Sequence, residues 1–267
     1  MEDRRNRKGA RFRALHEGDP FVIPNPWDAG SAKVLAALGF EALASTSSGF
    51  AFTLGRPDGG AALDEVVKHV RALDEATELP LSVDLENGYG PDPGDVARAI
   101  DLIAAAGAVG GSIEDFDRKD GGGIYPLDQA VERVAAAVDA ARGLDFPFML
   151  TARAENHVRG NPDLEDTIAR LQAFERAGAD VVYAPGLRST EEIRVVSEAT
   201  TKPLNVLARP NLTMAEMTDA GAQRVSVGGA LTWVAAGALA SAAAQIRDQG
   251  DFSVLSGSGQ VPGWPSA

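Results

Sequence analysis

Residues 81–115 read LSVDLENGYGPDPGDVARAIDLIAAAGAVGGSIED, and this stretch decides the fold class. Its first part, 81–85, is a short apolar run with the length and composition of a buried strand. An Asp-Pro pair then opens the segment 94–106, in which apolar residues recur at helical spacing. A second short apolar run follows at 111–114. The stretch therefore predicts one strand–helix–strand unit of the kind that builds parallel sheets.

The same alternation of short apolar runs and helical segments continues along the whole chain. Eight strands are predicted, at 21–24, 42–46, 81–85, 111–114, 148–153, 181–184, 204–207 and 224–227. Eight helices are predicted, at 29–38, 65–76, 94–106, 127–142, 163–177, 190–199, 213–220 and 231–248. Eight strands that alternate with eight helices predict a (β/α)₈ TIM barrel of the α/β class. We expect one barrel domain over residues 1–267, with the segment 249–267 as a C-terminal extension.

Three of the predicted helices end on a glycine that precedes the next strand, at Gly107, Gly178 and Gly221. Glycine is the preferred residue where a helix ends in the left-handed conformation. The pattern predicts left-handed helix ends at these three positions, which suits the regular repeat of a barrel.

The composition fits a globular chain that buries a sizeable core. With 267 residues, of which 45% are hydrophobic and 24% charged, the chain has the balance of a globular protein. A formal net charge of −13 opposes contact with a nucleic-acid backbone, so no nucleic-acid partner is expected. The chain has no cysteine, which excludes disulfides, thiolate metal sites and a cysteine acid or nucleophile.

The sequence predicts neither a membrane segment nor a secretory signal. The most apolar stretch, 230–244, is shorter than the roughly 20 residues that cross a bilayer, and we interpret it as a buried helix. The basic opening, at 4–8, has no apolar stretch behind it. We interpret it as a solvated helical lead-in and not as a signal peptide, so the expected location is cytoplasmic, with no membrane partner.

Three acidic residues follow neighbouring predicted strands and form the first candidate site. Asp84 and Glu86 end the third strand and point to one face of it, because side chains alternate along a strand. Glu114 ends the fourth strand, and the carboxyl ends of barrel strands are where reactive groups lie. Mg²⁺ prefers carboxylate oxygens and water, and Mn²⁺ accepts the same ligands. We predict a Mg²⁺ site here, with Mn²⁺ as a possible substitute; the alternative is that these are ordinary surface carboxylates.

Arg153 ends the fifth predicted strand, so its guanidinium group is expected at the mouth of the barrel. Its planar fork suits the carboxylate or phosphonate of a small anionic substrate. The alternative interpretation is a structural salt bridge to Glu155 or Glu114, and the two roles are compatible.

Small and polar residues near other strand ends add to the candidate site. Ser47, Ser48 and Gly49 follow the second strand and offer hydroxyl and N–H groups to an oxyanion. His157 follows the fifth strand and is a candidate for acid–base chemistry, although a loop histidine is more often solvated. The glycine run at 121–123 lacks the pattern of a phosphate-binding loop, so we interpret it as a flexible segment and a candidate lid.

Four motifs carry a resemblance to a known family: Leu54-Gly55-Arg56-Pro57-Asp58, Val83-Asp84-Leu85-Glu86-Asn87-Gly88-Tyr89-Gly90, Ser112-Ile113-Glu114-Asp115 and Ala152-Arg153-Ala154-Glu155. In this order and spacing they resemble the isocitrate lyase/phosphoenolpyruvate mutase superfamily, and the likeness covers most of the chain. The resemblance implies chemistry through the enolate of a pyruvate-like fragment, stabilised on Mg²⁺ while a C–C or P–C bond breaks or forms.

The resemblance also implies roles for individual residues. By it, Asp84 is the direct Mg²⁺ ligand, and Asp58, Glu86 and Glu114 hold the metal-bound waters. Arg153 clamps a carboxylate or phosphonate, and we count it with Asp58 among the catalytic residues. The substrate-binding residues expected beside Arg153 are Ser47, Ser48, Gly49, Phe50, His157 and Asn205.

Two departures from the family limit what the resemblance implies. The lyases that cleave isocitrate or methylisocitrate carry a Lys-Arg-Cys-Gly-His gate loop, whereas residues 116–126 here read FDRKDGGGIYP. Without the cysteine, protonation of the enolate needs another donor, for which Lys119 and Tyr125 are candidates, or no donor at all. At 184–186 the chain reads Ala-Pro-Gly where these lyases place a glutamate. Cleavage of isocitrate or methylisocitrate is therefore not expected.

The leading hypothesis is a Mg²⁺-dependent lyase that cleaves a C–C bond of a small 2-oxo or 2-hydroxy di-acid, or decarboxylates it, through a pyruvate-like enolate. A P–C bond mutase or phosphonopyruvate-type hydrolase is the alternative, although the Asn and Ser of the phosphonomutase gate loop are missing. A third hypothesis is a ligand-binding homologue without turnover. The family's last helix commonly swaps onto a neighbouring subunit, so we expect the helix at 231–248 to do so in a homodimer or homotetramer.

Overall fold

The structure is a computed structural model that describes residues 2–118, 122–257 and 261–264. All eight predicted strands are present, each within two residues of its predicted bounds. They are β1 Phe21–Ile23, β2 Leu43–Ala44, β3 Leu81–Asp84, β4 Gly110–Glu114, β5 Met149–Arg153, β6 Val181–Tyr183, β7 Leu204–Leu207 and β8 Arg224–Ser226.

The eight strands form one parallel sheet that curls into a nearly closed barrel. Their order in the sheet is β1-β8-β7-β6-β5-β4-β3-β2, so the first and last strands of the chain are neighbours. At the seam between β1 and β2, the backbone N–H of Ala44 donates to the carbonyl of Pro24 at 3.1 Å. The TIM-barrel prediction is therefore confirmed. All eight carboxyl ends lie at one end of the barrel, which we call the mouth.

Helices join the strands and surround the barrel. They are α1 Glu2–Glu17, α2 Ala29–Ala37, α3 Ser47–Thr53, α4 Leu63–Ala76, α5 Pro93–Ala105, α6 Leu127–Arg142, α7 Leu164–Arg176, α8 Thr190–Ala199, α9 Met214–Asp219 and α10 Ala230–Gln249. The eight predicted helices correspond to α2 and to α4 through α10. Side-chain caps fix several helix starts; before α2, for example, Asp28 accepts from the N–H of Ser31 at 2.6 Å.

The first helix, α1, is present but is not simply solvated, so that part of the prediction is wrong. One face of α1 closes the amino end of the barrel, where Phe12 is fully buried and a Cβ on Gly110 would lie 2.7 Å from its ring. On the same helix, Lys8 is buried and its Nζ donates to Asp74 of α4 at 2.7 Å. The charge of Lys8 is tolerated inside because it is paired.

The three glycines that end helices adopt the predicted left-handed conformation. Gly107, Gly178 and Gly221 have φ angles of 114°, 105° and 105°. Only glycine adopts such angles without a steric penalty, and each residue lets the chain turn sharply from a helix into the next strand.

The last helix, α10, lies on the surface, so the prediction of a buried helix at 230–244 is wrong for the part of the chain that the structure describes. Thr232 is its one buried residue, and Trp233, Val234 and Leu239 are more than half exposed. Within residues 2–118, 122–257 and 261–264, none of the helices combines the length and apolarity needed to span a bilayer.

Candidate active site

Asp84 ends β3 at the mouth and lies at the centre of a polar cluster. Its Oδ1 accepts from Nη1 of Arg153 at 2.9 Å, and its Oδ2 accepts from the backbone N–H of Ser47 at 3.2 Å. Burial pushes the pKa of Asp84 up, but the charge of Arg153 and the hydrogen bond from Ser47 outweigh it, so the pKa lies below its usual value. Asp84 is therefore an ionised, well-fixed carboxylate.

The loop after β3 is strained and is held by a buried arginine. Glu86 and Tyr89 have φ angles of 51° and 67°, which residues other than glycine rarely adopt. Arg133 of α6 is 1% exposed and donates to three carbonyls of the segment 87–91, among them that of Gly90 at 2.9 Å. The hydroxyl of Tyr89 donates to Oε1 of Glu86 at 3.3 Å. The loop thus presents Glu86 in one fixed position.

Arg153 ends β5 and contacts three carboxylates, those of Asp84 on β3, Glu114 on β4 and Glu155 just after β5. Its Nη2 lies 3.0 Å from Oε2 of Glu114 and 2.7 Å from Oε1 of Glu155, in addition to its contact with Asp84. Burial lowers the pKa of Arg153, but the charges of these carboxylates more than offset that effect and raise it well above the usual value. Both salt bridges offered as the alternative role of Arg153 are present, and the residue also lines the cavity described below.

Arg118, which the sequence analysis did not single out, faces the same cluster from the segment after β4. Its Nη1 lies 3.1 Å from Oδ2 of Asp58, and its Nε lies 3.2 Å from Oε2 of Glu86. Its Nη2 lies 3.5 Å from Oε1 of Glu114. The three acids expected to hold metal-bound waters therefore share one guanidinium group, so the structure brings them together.

Two of these acids have raised pKa values. Burial raises the pKa of Glu86 to about 7, and the charge of Asp84 adds to this, while the charge of Arg118 opposes it. Burial also raises the pKa of Glu114, against the charge of Arg153. Carboxyl groups of this kind exchange protons near neutral pH, which is typical of active sites.

Ser47, Ser48 and Gly49 open the short helix α3, which was not among the predicted helices. The side chain of Thr46 caps it by accepting from the N–H of Gly49 at 3.3 Å. A Cβ on Gly49 would lie 2.6 Å from Thr46 and from Thr232, so only glycine fits there. The helix was missed because a capping threonine before two serines and a glycine is also typical of a turn.

A cavity of about 300 Å³ opens at the mouth, and residues from all parts of the barrel line it. The predicted site residues that line it are Ser47, Ser48, Asp58, Asp84, Arg153 and Asn205. The predicted site residues that lie outside this lining are Gly49, Phe50, Glu86, Glu114, Tyr125 and His157. Glu86 and Glu114 still contact the cluster through Arg118, whereas Phe50 stacks on His69 with ring centroids 4.0 Å apart.

Of the two candidate proton donors, Tyr125 and Lys119, only Tyr125 lies within the described residues. The hydroxyl of Tyr125 accepts from Nδ2 of Asn87 at 3.0 Å, and its ring lies 4.5 Å from the guanidinium of Arg133. Burial raises the pKa of Tyr125. Tyr125 thus supports the loop after β3 and does not line the cavity. Lys119 lies outside the described residues.

The segment that replaces the family's gate loop folds back on itself. Phe116 and Ile124 form an antiparallel bridge, and the N–H of Asp117 donates to the carbonyl of Gly123 at 2.9 Å. Gly121 lies outside the described residues, so the lid stays a prediction. The pairing brings the described residues 116–117 and 123–124 side by side.

His157 is buried, so the interpretation of a solvated loop histidine is wrong. It is 2% exposed, and its Nε2 lies 3.8 Å from Oε2 of Glu192 on α8. A Cβ on Gly186 would lie 2.7 Å from His157, which shows how tightly the two loops pack. His157 joins these loops behind the cavity.

Asn205 of β7 has its amide group fixed by neighbouring side chains. Its Oδ1 accepts from Nε of Arg224 at 2.7 Å, and its Nδ2 donates to Oγ of Ser226 at 3.0 Å. The cavity is also lined by four residues that were not predicted from the sequence: Arg118, Arg159, Tyr183 and Arg224. Inspection of strand ends could not find Arg159, because it lies within a turn well after β5.

The barrel and its polar cavity define an enzyme of the (β/α)₈ class, with reactive groups at the carboxyl ends of the strands. The family model for phosphoenolpyruvate phosphomutase matches residues 12–247, which is most of the chain. The chain therefore belongs to the isocitrate lyase/phosphoenolpyruvate mutase superfamily, as its motifs predicted.

Individual relatives carry the names of several enzymes. A crystal structure from Burkholderia cenocepacia J2315, provisionally described as a lyase/mutase, has 50% identity and a TM-score of 0.94, and the match covers 97% of this chain and 94% of that one. The oxaloacetate decarboxylase of Paraburkholderia xenovorans (strain LB400) is 35% identical over 204 residues, which are 73% of this chain and 67% of that protein. A phosphonopyruvate hydrolase in complex with oxalate and Mg²⁺ has 25% identity and a TM-score of 0.86, covering 95% of this chain and 92% of that one.

The superfamily implies a divalent metal, and the residues present fit one. Asp58, Asp84, Glu86 and Glu114 offer carboxylate oxygens, which hard cations prefer. In the described ranges, no group of three acidic or histidine side chains is arranged to enclose an ion alone. Mg²⁺ needs only one or two carboxylates, because water fills its other positions. Both oxygens of Glu114 are buried and ion-paired with Arg153 and Arg118, but neither accepts a well-aligned hydrogen bond from a described residue, so each keeps a lone pair for ordered water.

Proposed function

We propose that this enzyme is a Mg²⁺-dependent lyase that cleaves a C–C bond of a small 2-oxo or 2-hydroxy di-acid, or decarboxylates it, through a pyruvate-like enolate. The observation that carries the proposal is the environment of Asp84, an ionised carboxylate at the cavity wall that Arg153 and Ser47 fix from two sides. Asp84 would hold the ion directly, and Asp58, Glu86 and Glu114 would hold its waters. A bound Mg²⁺ or Mn²⁺ ion supplies positive charge that stabilises the developing enolate.

Arg153 and the start of α3 would bind the reacting end of the substrate. Arg153 lines the cavity and presents a guanidinium group whose position is set by three carboxylates. Ser47 and Ser48 line the same cavity and supply hydroxyl groups to the oxygens of a 2-oxo acid. Asn205 adds an amide from β7, in an orientation fixed by Arg224. These groups orient the substrate before any bond breaks.

The described part of the gate segment, 116–118 and 122–126, favours a reaction in which no dedicated side chain protonates the enolate. The cysteine of the lyase gate loop is absent, and the hydroxyl of Tyr125 is bonded to Asn87 outside the cavity lining. An enolate released by decarboxylation takes its proton from water without help from such a residue. The similarity to a protein named oxaloacetate decarboxylase supports this choice of reaction.

The proposal is tested with a panel of 2-oxo and 2-hydroxy di-acids that includes oxaloacetate, each incubated with the enzyme and Mg²⁺. Proton NMR follows the formation of a pyruvate-type product. We expect at least one panel member to be converted, with the rate returning to background in EDTA and recovering on addition of Mg²⁺ or Mn²⁺. Conversion that is unaffected by EDTA, or no conversion of any member, contradicts the proposal.

A P–C bond reaction is the second candidate. Three arginines at the mouth line the cavity, Arg118, Arg153 and Arg159, and such a set also suits a phosphonate. A relative named phosphonopyruvate hydrolase supports the same view. Phosphorus NMR with phosphonopyruvate separates the two candidates, because only a P–C reaction changes the phosphorus spectrum.

The exposed apolar side of α10 supports an assembly of several copies of the chain. Trp233, Val234 and Leu239 are exposed on a long helix whose one buried described residue is Thr232. Large exposed apolar surfaces are typical of subunit interfaces. The proposed assembly is a homodimer or homotetramer in which α10 packs on a neighbouring subunit. Light scattering at micromolar concentration tests it, and a monomeric mass contradicts it.

A further inference from the structure

We infer that Arg159 is a specificity-determining residue that binds a second anionic group of the substrate, so that the enzyme selects short di-acids over monoacids. This inference rests on the proposed function and adds to it the residue that recognises the far end of the substrate. Arg159 lies in the turn between β5 and α7 and lines the same cavity as Asp84 and Arg153.

Arg159 and Arg153 are joined by one carboxylate. Nε and Nη2 of Arg159 both contact Oε2 of Glu155, at 3.0 Å and 2.9 Å. Oε1 of the same residue lies 2.7 Å from Nη2 of Arg153. Because both guanidinium groups contact one carboxylate, they lie within about 8 Å of each other. The cavity therefore has two adjacent cationic groups, one deep in the mouth and one nearer to solvent.

The positive charge of Arg159 is only partly neutralised by neighbouring carboxylates. Glu155 carries one negative charge and is shared by two guanidinium groups. The next carboxylate, that of Glu114, is 3.8 Å from Arg159 and closer to Arg153. Nη1 of Arg159 has neither a hydrogen bond nor an ion pair with any residue in the described ranges. Arg159 thus keeps N–H donors for a ligand.

The turn that carries Arg159 is rigid, unlike a typical surface loop. The amide of Asn156 is buried and donates to Oγ1 of Thr167 at 2.9 Å and to the carbonyl of Asp163 at 3.1 Å. The guanidinium of Arg159 lies over the ring of Phe116, 4.1 Å from its centroid, and this cation–π contact helps to hold it in place. A cation that is already oriented loses little entropy when it binds an anion.

The spacing of the two arginines indicates the size of the ligand. Arg153 and Arg159 line one cavity and share Glu155, so a 2-oxo acid with its reacting end at Arg153 can reach Arg159 with a second carboxylate. Two cations within about 8 Å match a di-acid of about four or five carbons, whereas a monoacid such as pyruvate leaves Arg159 without a ligand.

The experiment compares two oxalyl amides that differ in one carboxylate. N-oxalylglycine carries a distal carboxylate, N-ethyloxamate has a methyl group in its place, and oxalate probes the reacting end alone. Isothermal titration calorimetry with Mg²⁺ present gives the affinity of each probe for the wild-type enzyme and for R159Q, R159K and the control R194Q, which alters an exposed arginine of α8.

For the wild type we expect N-oxalylglycine to bind about tenfold more tightly than N-ethyloxamate. In R159Q this advantage should fall to about twofold or less, while the affinity for oxalate stays within about threefold of the wild type. R159K keeps a point charge and should keep part of the advantage. R194Q should behave as the wild type does.

Several outcomes overturn the inference. If the wild type binds the two amides equally, the inference is overturned. This result needs no variant, so it decides the question even if R159Q fails to fold. An advantage that survives intact in R159Q overturns the inference as well. An equal loss for oxalate and N-oxalylglycine would mean that Arg159 acts only through Glu155 on Arg153. If oxalate does not bind the wild type, the proposed function falls first, and this result is distinct from those above.

Discussion

Each end of the barrel interior contains a buried arginine, but the two arginines have different partners: carboxylates at the mouth and neutral groups towards the amino end. At the mouth, Arg153 contacts the carboxylates of Asp84, Glu114 and Glu155. At the inner end of the same cavity, towards the amino end of the barrel, Arg224 contacts only neutral groups among the described residues: Nε2 of His16 at 3.1 Å, Oγ1 of Thr151 at 3.0 Å and Oδ1 of Asn205 at 2.7 Å.

The pKa values reflect this difference. Burial lowers the pKa of Arg224 to about 10, whereas the carboxylates around Arg153 raise its pKa well above the usual value. The carboxylates at the mouth keep Arg153 charged and fixed beside the cavity, whereas Arg224 is a buried cation that only neutral groups hold in place. The comparison teaches that the mouth is organised for binding and chemistry and the amino end for stability.

The largest expected effect is on activity at the mouth. Asp84→Ala should lower kcat/KM about 10³-fold, because it removes the one carboxylate proposed to contact the metal directly. The free energy of unfolding should change by only about 1 kcal/mol. Steady-state kinetics and urea unfolding measure the two effects. Asp101→Ala, at an exposed position on α5, is the matched control and should leave both unchanged.

The next effect is on stability at the amino end. Phe12→Ala should lower the free energy of unfolding by about 3 kcal/mol, because Phe12 is fully buried and its loss leaves a cavity beneath the strands. The affinity for oxalate in the presence of Mg²⁺ should stay within about twofold of the wild type. Urea unfolding and calorimetry test this. A large loss of oxalate affinity at normal stability would break the division between the two ends.

The smallest effect is a dependence of stability on pH at the amino end. Burial, together with the charge of Arg224, lowers the pKa of His16 from 6.5 to about 3. The unfolded chain therefore binds a proton that the folded chain does not, and stability is fully present above pH 6.5 and falls as the pH drops. Between about pH 7.5 and pH 5 the wild type should lose about 2 kcal/mol more than His16→Gln. Parallel pH curves for the two proteins would contradict this.

The fold could be predicted from the sequence because its signals are local. Each strand is a short apolar run, and glycines such as Gly107 mark the helix ends through their left-handed φ. The errors concern α1 and α10, whose burial depends on what packs against them. The charged residues at 4–8 suggested exposure to solvent, but Lys8 is buried and paired with Asp74. The apolar stretch at 230–244 suggested burial, but most of it is exposed.

The candidate site could be predicted only where residues lie directly at strand ends. Asp84 and Arg153 both lie at strand ends, and Nη1 of Arg153 is 2.9 Å from Oδ1 of Asp84. Arg118 and Arg159 lie in connecting segments, and their positions depend on the pairing of 116–117 with 123–124 and on the turn after β5. Tyr125 was chosen by its place in the gate segment, but the pairing of that segment turns its hydroxyl towards Asn87.

The central claim is that the mouth holds a divalent metal through Asp84 beside a site for a 2-oxo acid. A crystal structure with Mn²⁺ and oxalate tests it most directly, because Mn²⁺ gives an anomalous signal and oxalate mimics the pyruvate enolate. We predict an anomalous peak in contact with Asp84, with oxalate bound between it, Arg153 and Ser47. A peak away from Asp84, or oxalate bound elsewhere in a crystal of the intact protein, would contradict the account.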